Sequence, residues 1–281
     1  MLSPAALFII AICFYPIFAG IFMGFTNMSL MNPRAWRFTG LGNFSELIGD
    51  SEFKNALVFT LGYSIFSVFF SYLLGLVCAL FMSRKIPFRG IIRATLLIPW
   101  VMPAVVATTA WIWLLNDQTG LVNWLLRSLG ITSTPVLFLA HTNSARLTVI
   151  FFDAWKNFPF MSLILLSSMQ SISTELYEAA YIDGANSWQS FIRITMPLIR
   201  RASFLVILLQ SIWTFNSFDR IFLLTRGGPG LATQVISIYA YNTAFFRSDL
   251  GYASALSVSM MIFMILLTIV YFKMTFNNEA D

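Results

Sequence analysis

The sequence predicts an all-α integral membrane protein with six transmembrane helices. Of its 281 residues, 58% are hydrophobic and 10% are charged, whereas about a quarter of the residues of a soluble domain are charged. A membrane helix needs about 20 mostly apolar residues. Six stretches reach that length, at about 4–25, 57–82, 94–115, 147–169, 202–224 and 252–272. Their apolar residues are continuous and do not alternate with polar ones as in membrane β-barrels.

The ends of these stretches indicate their orientation. The first has no charged residue before Arg34 and is too long for a signal peptide, so we interpret it as a true span and leave open whether a short basic tail precedes it. The short loop 83–93 carries four basic residues, and short basic loops face the cytoplasm. We therefore expect both termini in the cytoplasm and the longer loops, at about 26–56, 116–146 and 225–251, outside.

The reactive residue types exclude several functions. Cys13 and Cys78 both lie in apolar stretches and His141 is the single histidine, so neither a disulfide framework nor a metal site is predicted. The basic residues are spread among the loops, which argues against nucleic-acid binding. The sequence has no GxxxxGK[ST] stretch, so any energy for its function must come from a partner or a gradient.

A polar segment between the fourth and fifth stretches predicts a helix–turn–helix. Ser173 or Thr174 can cap a first short helix, and Gly184 is the residue type that ends a helix in a left-handed conformation. Asn186 with Gln189 three residues later predicts a capping box that opens a second helix. The first helix has a narrow face that another surface can approach closely, formed by Leu176, Ala179, Ala180 and Asp183.

The same segment resembles the EAA loop of bacterial ABC importer permeases. The matching residues are Glu178-Ala179-Ala180, Asp183-Gly184-Ala185 and Pro197. In that family the loop is cytoplasmic and its first helix docks into a cleft of an ATP-hydrolysing subunit. The resemblance thus implies an ATPase-coupling role for Glu178, Ala179, Ala180, Asp183 and Gly184. The alternative is an ordinary amphipathic loop helix that rests on the membrane surface.

The resemblance extends over about residues 4–272 and is most similar to the carbohydrate, maltose-importer-like branch. The stretches that carry it are 40–44, 98–103, 215–219 and 224–230. One departure is Ser173, where that branch usually has proline. The resemblance implies a type I ABC importer permease fold. Residues 1–55 would form the first transmembrane helix and outer loop, 56–273 the transmembrane domain with the EAA loop at 174–198, and 274–281 a cytoplasmic tail.

For function, the resemblance implies a non-catalytic subunit of an ATP-dependent, binding-protein-dependent importer of a sugar or oligosaccharide. The implied partners are a second homologous permease subunit, two ATP-binding subunits, an extracytoplasmic solute-binding protein, the sugar and membrane lipid. We expect the chain to bind no cofactor itself, because ATP and magnesium would belong to the ATPase subunits. The implied location is the cytoplasmic membrane of a bacterium or archaeon, crossed several times.

Charged residues inside the apolar stretches mark candidate positions of a substrate pathway, because each costs about 2.5–3.5 kcal/mol at a helix centre. Asp153 and Lys156 lie at i, i+3 on the fourth stretch and can pair on one helix face. Asp219 and Arg220 are adjacent in the fifth and so point in different directions. The alternative for both pairs is a structural ion pair that fixes helix packing or reaches the membrane surface.

Placing the chain in register with the family implies a set of residues that line the pathway. They are Asp153, Lys156, Asn157 and Phe160 on the fourth stretch, Gln210, Trp213, Thr214 and Ser217 on the fifth, and Trp100 on the third. Amides and hydroxyls suit sugar hydroxyls, and aromatic faces suit a pyranose ring, although Phe160 and Trp213 could equally pack or face lipid. Lys156 leaves an acidic saccharide open, such as a uronate or a phosphorylated polyol, unless it only serves Asp153.

Three rival functions remain open. A gradient-driven secondary transporter could use Asp153 as a proton site, but it has no use for an EAA loop and usually has internal repeats, which the sequence lacks. A polytopic membrane enzyme would need a cluster of His, Asp or Glu near one membrane face. An ABC importer of amino acids, peptides or anions is disfavoured by the resemblance of residues 224–230.

Overall fold

The computed structural model describes residues 8, 10–84 and 87–276. Within them the chain is helical, and extended pairing is limited to two isolated bridges, Thr26 with Phe38 and Ser29 with Asp249. The predicted all-α class is therefore confirmed for these residues. The helices, α1 to α13 in chain order, are Ile10–Gly24, Gly42–Gly49, Ser51–Ser83, Arg89–Val101, Ala104–Leu114, Leu121–Ser128, Thr142–Gln170, Thr174–Ile182, Ser187–Ser190, Met196–Phe215, Asp219–Thr225, Ile236–Phe245 and Leu250–Phe276.

The six predicted spans are found only in part. Three helices in the described residues are long and apolar enough to cross a membrane: α3, α7 and the portion Leu250–Lys273 of α13. Helices α4 and α5 meet at 95° and add a fourth crossing if the bent pair is one span. Helix α1 is shorter than a span over its described length, and residues 4–7 and 9 of the predicted first span lie outside the described part.

Local sequence explains why two predicted spans are not continuous helices. In the third, Met102 is extended, with φ −61° and ψ 131°, because the residue before a proline is disfavoured in the helical region. In the fifth, α10 ends at Phe215 and a short polar segment, residues 216–218, separates it from α11. The prediction of one continuous helix for each of 94–115 and 202–224 is therefore wrong: each stretch forms two helices, α4 with α5 and α10 with α11.

Contacts divide the described part of the chain into two compact units, one formed by its residues up to 60 with 234–270 and the other by its residues between 61 and 233 with 271–276. The second unit has an apolar core between α3, α7 and α10. A Cβ at Gly75 of α3 would lie 2.8 Å from the Cβ of Met161, so the missing side chain allows α3 and α7 to pack closely. The buried core residues are Val68, Ala79, Met82, Met161, Leu165, Leu166, Met169, Ile199 and Val206.

The first unit is fixed by polar contacts at the end of α1. The Asn43 side-chain amide donates to the carbonyl oxygens of Gly24 (2.9 Å) and Thr26 (2.8 Å). The same turn packs against the first residues of α13, where a Cβ on Gly251 would lie 2.0 Å from the Thr26 oxygen. Glycine is therefore required at that contact.

Candidate functional site

The segment 173–198 folds as the predicted helix–turn–helix. Ser173 caps α8, and its Oγ accepts a hydrogen bond from the Glu175 N–H (3.3 Å). Gly184 adopts the left-handed conformation after α8, with φ +80°. Asn186 and Gln189 form the capping box, in which each side chain accepts from the other residue's backbone N–H at 2.9 Å. The local signals in the sequence are confirmed one by one.

Helix α8 presents nearly all of its surface outward. No residue of α8 is buried, and Tyr181 and Ile182 are 81% and 84% exposed. Of the five predicted coupling residues, Glu178, Ala179, Asp183 and Gly184 are exposed and Ala180 is half-buried. Beside them lies a cleft of about 320 Å³, lined by Ala180, Asp183, Gly184, Ala185, Gln189, Ser190, Arg193 and Ile194. Three of the five residues, Ala180, Asp183 and Gly184, line this cleft, and Glu178 and Ala179 are exposed on the same helix.

One side-chain contact ties α8 to the helix that follows. The hydroxyl groups of Tyr177 and Thr195 are hydrogen-bonded at 2.9 Å. Thr195 is buried and ends a π-helical turn, Phe191–Thr195, which leads directly into α10. Helix α8 and the start of α10 are therefore joined by a side-chain hydrogen bond.

The charged residues inside the apolar stretches do not pair as their spacing predicted. Asp153 of α7 forms an ion pair with Arg220 of α11, and not with Lys156 one turn away. The Asp153 side chain is fully buried and that of Arg220 is 11% exposed, whereas the neighbouring Asp219 is 61% exposed. The predicted i, i+3 pairing of Asp153 with Lys156 is therefore wrong, because the partner of Asp153 comes from another helix, α11, and not from its own.

A hydrogen-bond network surrounds this ion pair. Thr214 donates to the second carboxylate oxygen of Asp153 (3.3 Å) and accepts from the Gln210 side-chain amide (3.0 Å). The hydroxyl of Tyr63, on α3, is 3.5 Å from that of Ser217. All five residues are buried. Four predicted pathway residues, Asp153, Gln210, Thr214 and Ser217, thus come together, but inside the protein.

Lys156 is bound to the break in the third predicted span. Its Nζ donates to the carbonyl oxygens of Pro99 (3.1 Å) and Met102 (2.6 Å). In a continuous helix the Pro99 oxygen would accept from the N–H four residues later, but that residue is Pro103, which has none. Lys156 supplies the missing donor. Asn157, which was predicted beside it in the pathway, is also buried and donates to the Asp153 backbone oxygen at 2.9 Å.

The three predicted aromatic residues form one cluster across three helices. The ring centroids of Trp100 and Phe160 are 5.7 Å apart and nearly parallel, and those of Phe160 and Trp213 are 5.0 Å apart. Trp100 and Trp213 remain 42% and 44% exposed. The cluster therefore joins α4, α7 and α10, and its two tryptophans remain partly exposed.

Two residues of the site were not predicted by sequence reasoning. Tyr63 was treated only as part of an apolar stretch, and Arg220 was noticed as an intramembrane charge without its partner. The available signal was the cost of an unpaired buried charge, which requires a counter-ion but does not say where in the sequence to find it.

Comparison with known proteins gives consistent matches. Residues 71–275 match the profile of a family described as binding-protein-dependent transport system inner membrane component. The chain is 38% identical over 236 residues to the trehalose/maltose transport system permease protein MalF of Thermococcus litoralis, covering 84% of this chain and 79% of that protein.

Two solved structures share the fold. One is a bacterial ABC transporter involved in the import of the acidic polysaccharide alginate, with a TM-score of 0.85, 24% identity, and coverage of 98% of this chain and 93% of that chain. The other is a bacterial alginate ABC transporter in complex with an alginate pentasaccharide-bound periplasmic protein, with the same score and identity and coverage of 99% and 93%. At this identity the likeness concerns the fold.

Proposed function

Because the chain belongs to the family of inner membrane components of binding-protein-dependent transport systems, we propose that it is a permease subunit of an ATP-dependent importer of a sugar or oligosaccharide. The family that the 178–184 motif predicted is confirmed. Membership makes the chain a transport component that works with ATP-hydrolysing subunits and a solute-binding protein. The relative from T. litoralis, which is named for trehalose and maltose, supports a saccharide as the transported solute.

The proposal extends to the assembly and the membrane topology. A second homologous permease completes the pathway, lipid surrounds the bundle, and ATP and magnesium are bound by the ATPase subunits only. In the proposed topology the chain crosses the cytoplasmic membrane six times. Helix α1 is then the first span, the bent pair α4 and α5 the third, and α10 with α11 the fifth, within a transmembrane domain of residues 56–273.

The exposed surface of α8 is the observation that carries the coupling role. An isolated helix of nine residues is marginal in water, and α8 buries none of its residues against its own chain. Its small residues Ala179 and Ala180, next to the cleft, suit close packing against another protein. We propose that the ATPase subunit covers this face and that Glu178 pairs with a cation of that subunit.

The aromatic cluster is the proposed contact for the sugar. Trp100 and Trp213 are partly exposed, and an indole ring is a surface on which the apolar face of a pyranose ring can stack. The buried network around Asp153 then holds the helices that carry these rings, in place of contacting the sugar directly. The hydrogen bonds of Lys156 to two carbonyl oxygens and the pairing of Arg220 with Asp153 leave no free cation at these positions. This favours a neutral saccharide over an acidic one.

The coupling role is tested by Gly184→Asp in the reconstituted complex, with Gly130→Asp as the matched control. Both glycines have positive φ (+80° and +69°) and open space at the Cβ position, and aspartate tolerates the left-handed conformation. The two variants therefore differ in position rather than in strain. We expect Gly184→Asp to abolish sugar uptake and Gly130→Asp to preserve it. Normal uptake in Gly184→Asp would contradict the coupling role, and uptake that survives ATP depletion would indicate a gradient-driven transporter.

A further inference from the structure

A polar pocket of about 340 Å³ lies in the first unit, where α3 and α13 begin. It is lined by Glu46, Asp50, Glu52, Tyr239, Thr243, Arg247, Asp249 and Tyr252. Four carboxylates face one guanidinium in this set, so the pocket is net negative. None of these residues belongs to the coupling surface or to the aromatic cluster.

The pocket opens on the outer side of the membrane in the proposed topology. Helix α3 has 33 residues and is therefore about 50 Å long, more than the hydrocarbon core of about 30 Å. Its last turn leads into the basic loop 83–93, which faces the cytoplasm by the positive-inside rule. The opposite end of the same helix, with Glu52 in its first turn, must then lie outside.

Part of the pocket is already occupied by its own hydrogen bonds. Asp50 accepts from the hydroxyl groups of Tyr239 (2.5 Å) and Tyr252 (2.6 Å). Glu52 accepts from the Gln234 side-chain amide (3.0 Å) and from Arg247 (2.5 Å). These two carboxylates are already hydrogen-bonded within the chain and are not available to a ligand.

Three other groups of the pocket are available. The carboxylate of Glu46 is exposed and makes no hydrogen bond or ion pair with any described residue. Asp249 is exposed and uses one carboxylate oxygen to accept from the Tyr252 N–H (2.9 Å). Thr243 is 1% exposed, and its Oγ1 has no hydrogen-bond partner in the described part of the chain. A buried hydroxyl without a partner is unfavourable, so a ligand that forms a hydrogen bond with the Thr243 hydroxyl removes this cost.

The chemistry of these groups selects an organic cation. All three accept hydrogen bonds, and an ammonium or guanidinium group offers several N–H donors with a positive charge. The described residues contain no group of three His, Cys, Asp or Glu side chains that could hold a metal ion.

We propose that this pocket receives a lysine or arginine side chain of the extracytoplasmic solute-binding protein when that protein docks on the permease. The proposal rests on the proposed function, which supplies the partner and the side of the membrane. The pocket is open and polar and lies at the outer ends of two long helices. A basic side chain that enters it neutralises Glu46 and Asp249 and donates to Thr243.

The test uses the complete transporter in lipid nanodiscs and the purified, sugar-loaded binding protein of the same system. ATPase activity is measured against binding-protein concentration for the wild type, for Glu46→Gln with Asp249→Asn, and for Thr243→Val. Asp117→Asn is the control, because it removes an outer-loop carboxylate that does not line the pocket. We expect the double variant to raise the half-saturating concentration about tenfold, with a weaker dependence on salt and the same maximal rate. Thr243→Val should raise it less, and Asp117→Asn should leave it within about twofold.

Several results would overturn the proposal. An unchanged half-saturating concentration in the double variant, or an equal rise in Asp117→Asn, would show that the pocket does not take a basic side chain. Stimulation that is lost after pretreatment of the complex with EDTA and return to excess Mg-ATP, and that is restored by a second divalent cation, would assign the pocket to a metal ion instead. A wild-type complex that does not respond to the loaded binding protein would refute the proposed function itself, and the docking proposal with it. A responding wild type with an unaffected double variant refutes the docking proposal alone.

Discussion

The buried ion pair between Asp153 and Arg220 gives the sharpest prediction about stability. The single substitution Asp153→Leu leaves the guanidinium of Arg220, whose side chain is 11% exposed, without its buried anion. The second carboxylate near it, that of Asp219, lies 3.8 Å from Nε and is 61% exposed, so it is a weaker partner. Removing one partner of a buried pair costs about 3–5 kcal/mol. We therefore expect Asp153→Leu and Arg220→Met each to lower the free energy of unfolding by about this amount.

The double variant separates the charge from the loss of side chains. Replacing a whole buried pair by apolar residues is often neutral, so Asp153→Leu with Arg220→Met should be more stable than either single variant. The coupling energy from the double-mutant cycle should be about 3 kcal/mol. Equilibrium unfolding in mixed micelles measures each value, and the exposed Arg127→Met serves as a control that should change stability by less than about 0.5 kcal/mol.

The result that refutes this reasoning is additivity. If the effects of the two single substitutions sum to that of the double variant, or if each is below about 1 kcal/mol, the two groups do not form a desolvated pair. Sugar uptake adds a second readout. A double variant that folds normally but does not transport would show that Asp153 or Arg220 also acts in the pathway, beyond holding α7 against α11.

Three further predictions concern other parts of the chain. Lys156→Met removes the hydrogen-bond donor to two carbonyl oxygens at the helix break, including that of Pro99. It should lower stability by about 1–3 kcal/mol per oxygen without changing which sugars stimulate the ATPase. Stability and sugar-stimulated ATPase activity are measured on the same preparation. Trp213→Leu should reduce sugar uptake about 5- to 10-fold, because one aromatic contact contributes about 1 kcal/mol. The lost contact with Phe160 should lower stability by only about 0.5–1.5 kcal/mol, so the protein stays folded. Burial raises the pKa of Asp50, but hydrogen bonds from two tyrosine hydroxyls and from backbone N–H groups lower it by more, so the net pKa lies below 3.8. The stability that this carboxylate contributes is therefore present above pH 3.8 and is lost as the pH falls through the lowered pKa. Burial, and then the hydrogen bond to Asp50, raise the pKa of Tyr239 to about 12. The stability that this hydroxyl contributes is therefore present below pH 10 and is lost between pH 10 and 12. Unfolding midpoints measured across this pH range, together with tyrosinate absorbance, test this loss.

How far the sequence predicts the structure depends on the distance between the interacting residues. The helix–turn–helix could be read in detail because each of its signals acts within four residues, from the Ser173 cap to the capping box of Asn186. The partner of Asp153 could not, because Arg220 lies 67 positions away and spacing along one helix can only propose neighbours on that helix. Hydrophobic periodicity along the sequence identifies a buried charge that needs a partner, but the partner is determined by tertiary packing.

The third predicted span shows a different limit. Its prolines are visible in the sequence and belong to the family resemblance, yet hydropathy over 94–115 predicts a continuous span. Hydropathy averages over a window, whereas the break depends on one missing N–H at Pro103 and one extended residue before it. Whether such a break persists then depends on a donor from elsewhere, and Lys156 provides it from α7.

Helix α10 connects the two candidate sites in a single element. Its first residue follows Thr195, which is bonded to Tyr177 of the exposed coupling helix. Trp213, 18 residues after Thr195, belongs to the aromatic cluster, about 27 Å further along the helix. Between Met196 and Phe215 the helix is uninterrupted, so a tilt imposed at one end displaces the other. In the proposed mechanism the ATPase thus acts on the sugar contact through one rigid helix, and the break after Phe215 confines that motion to the inner part of the fifth span.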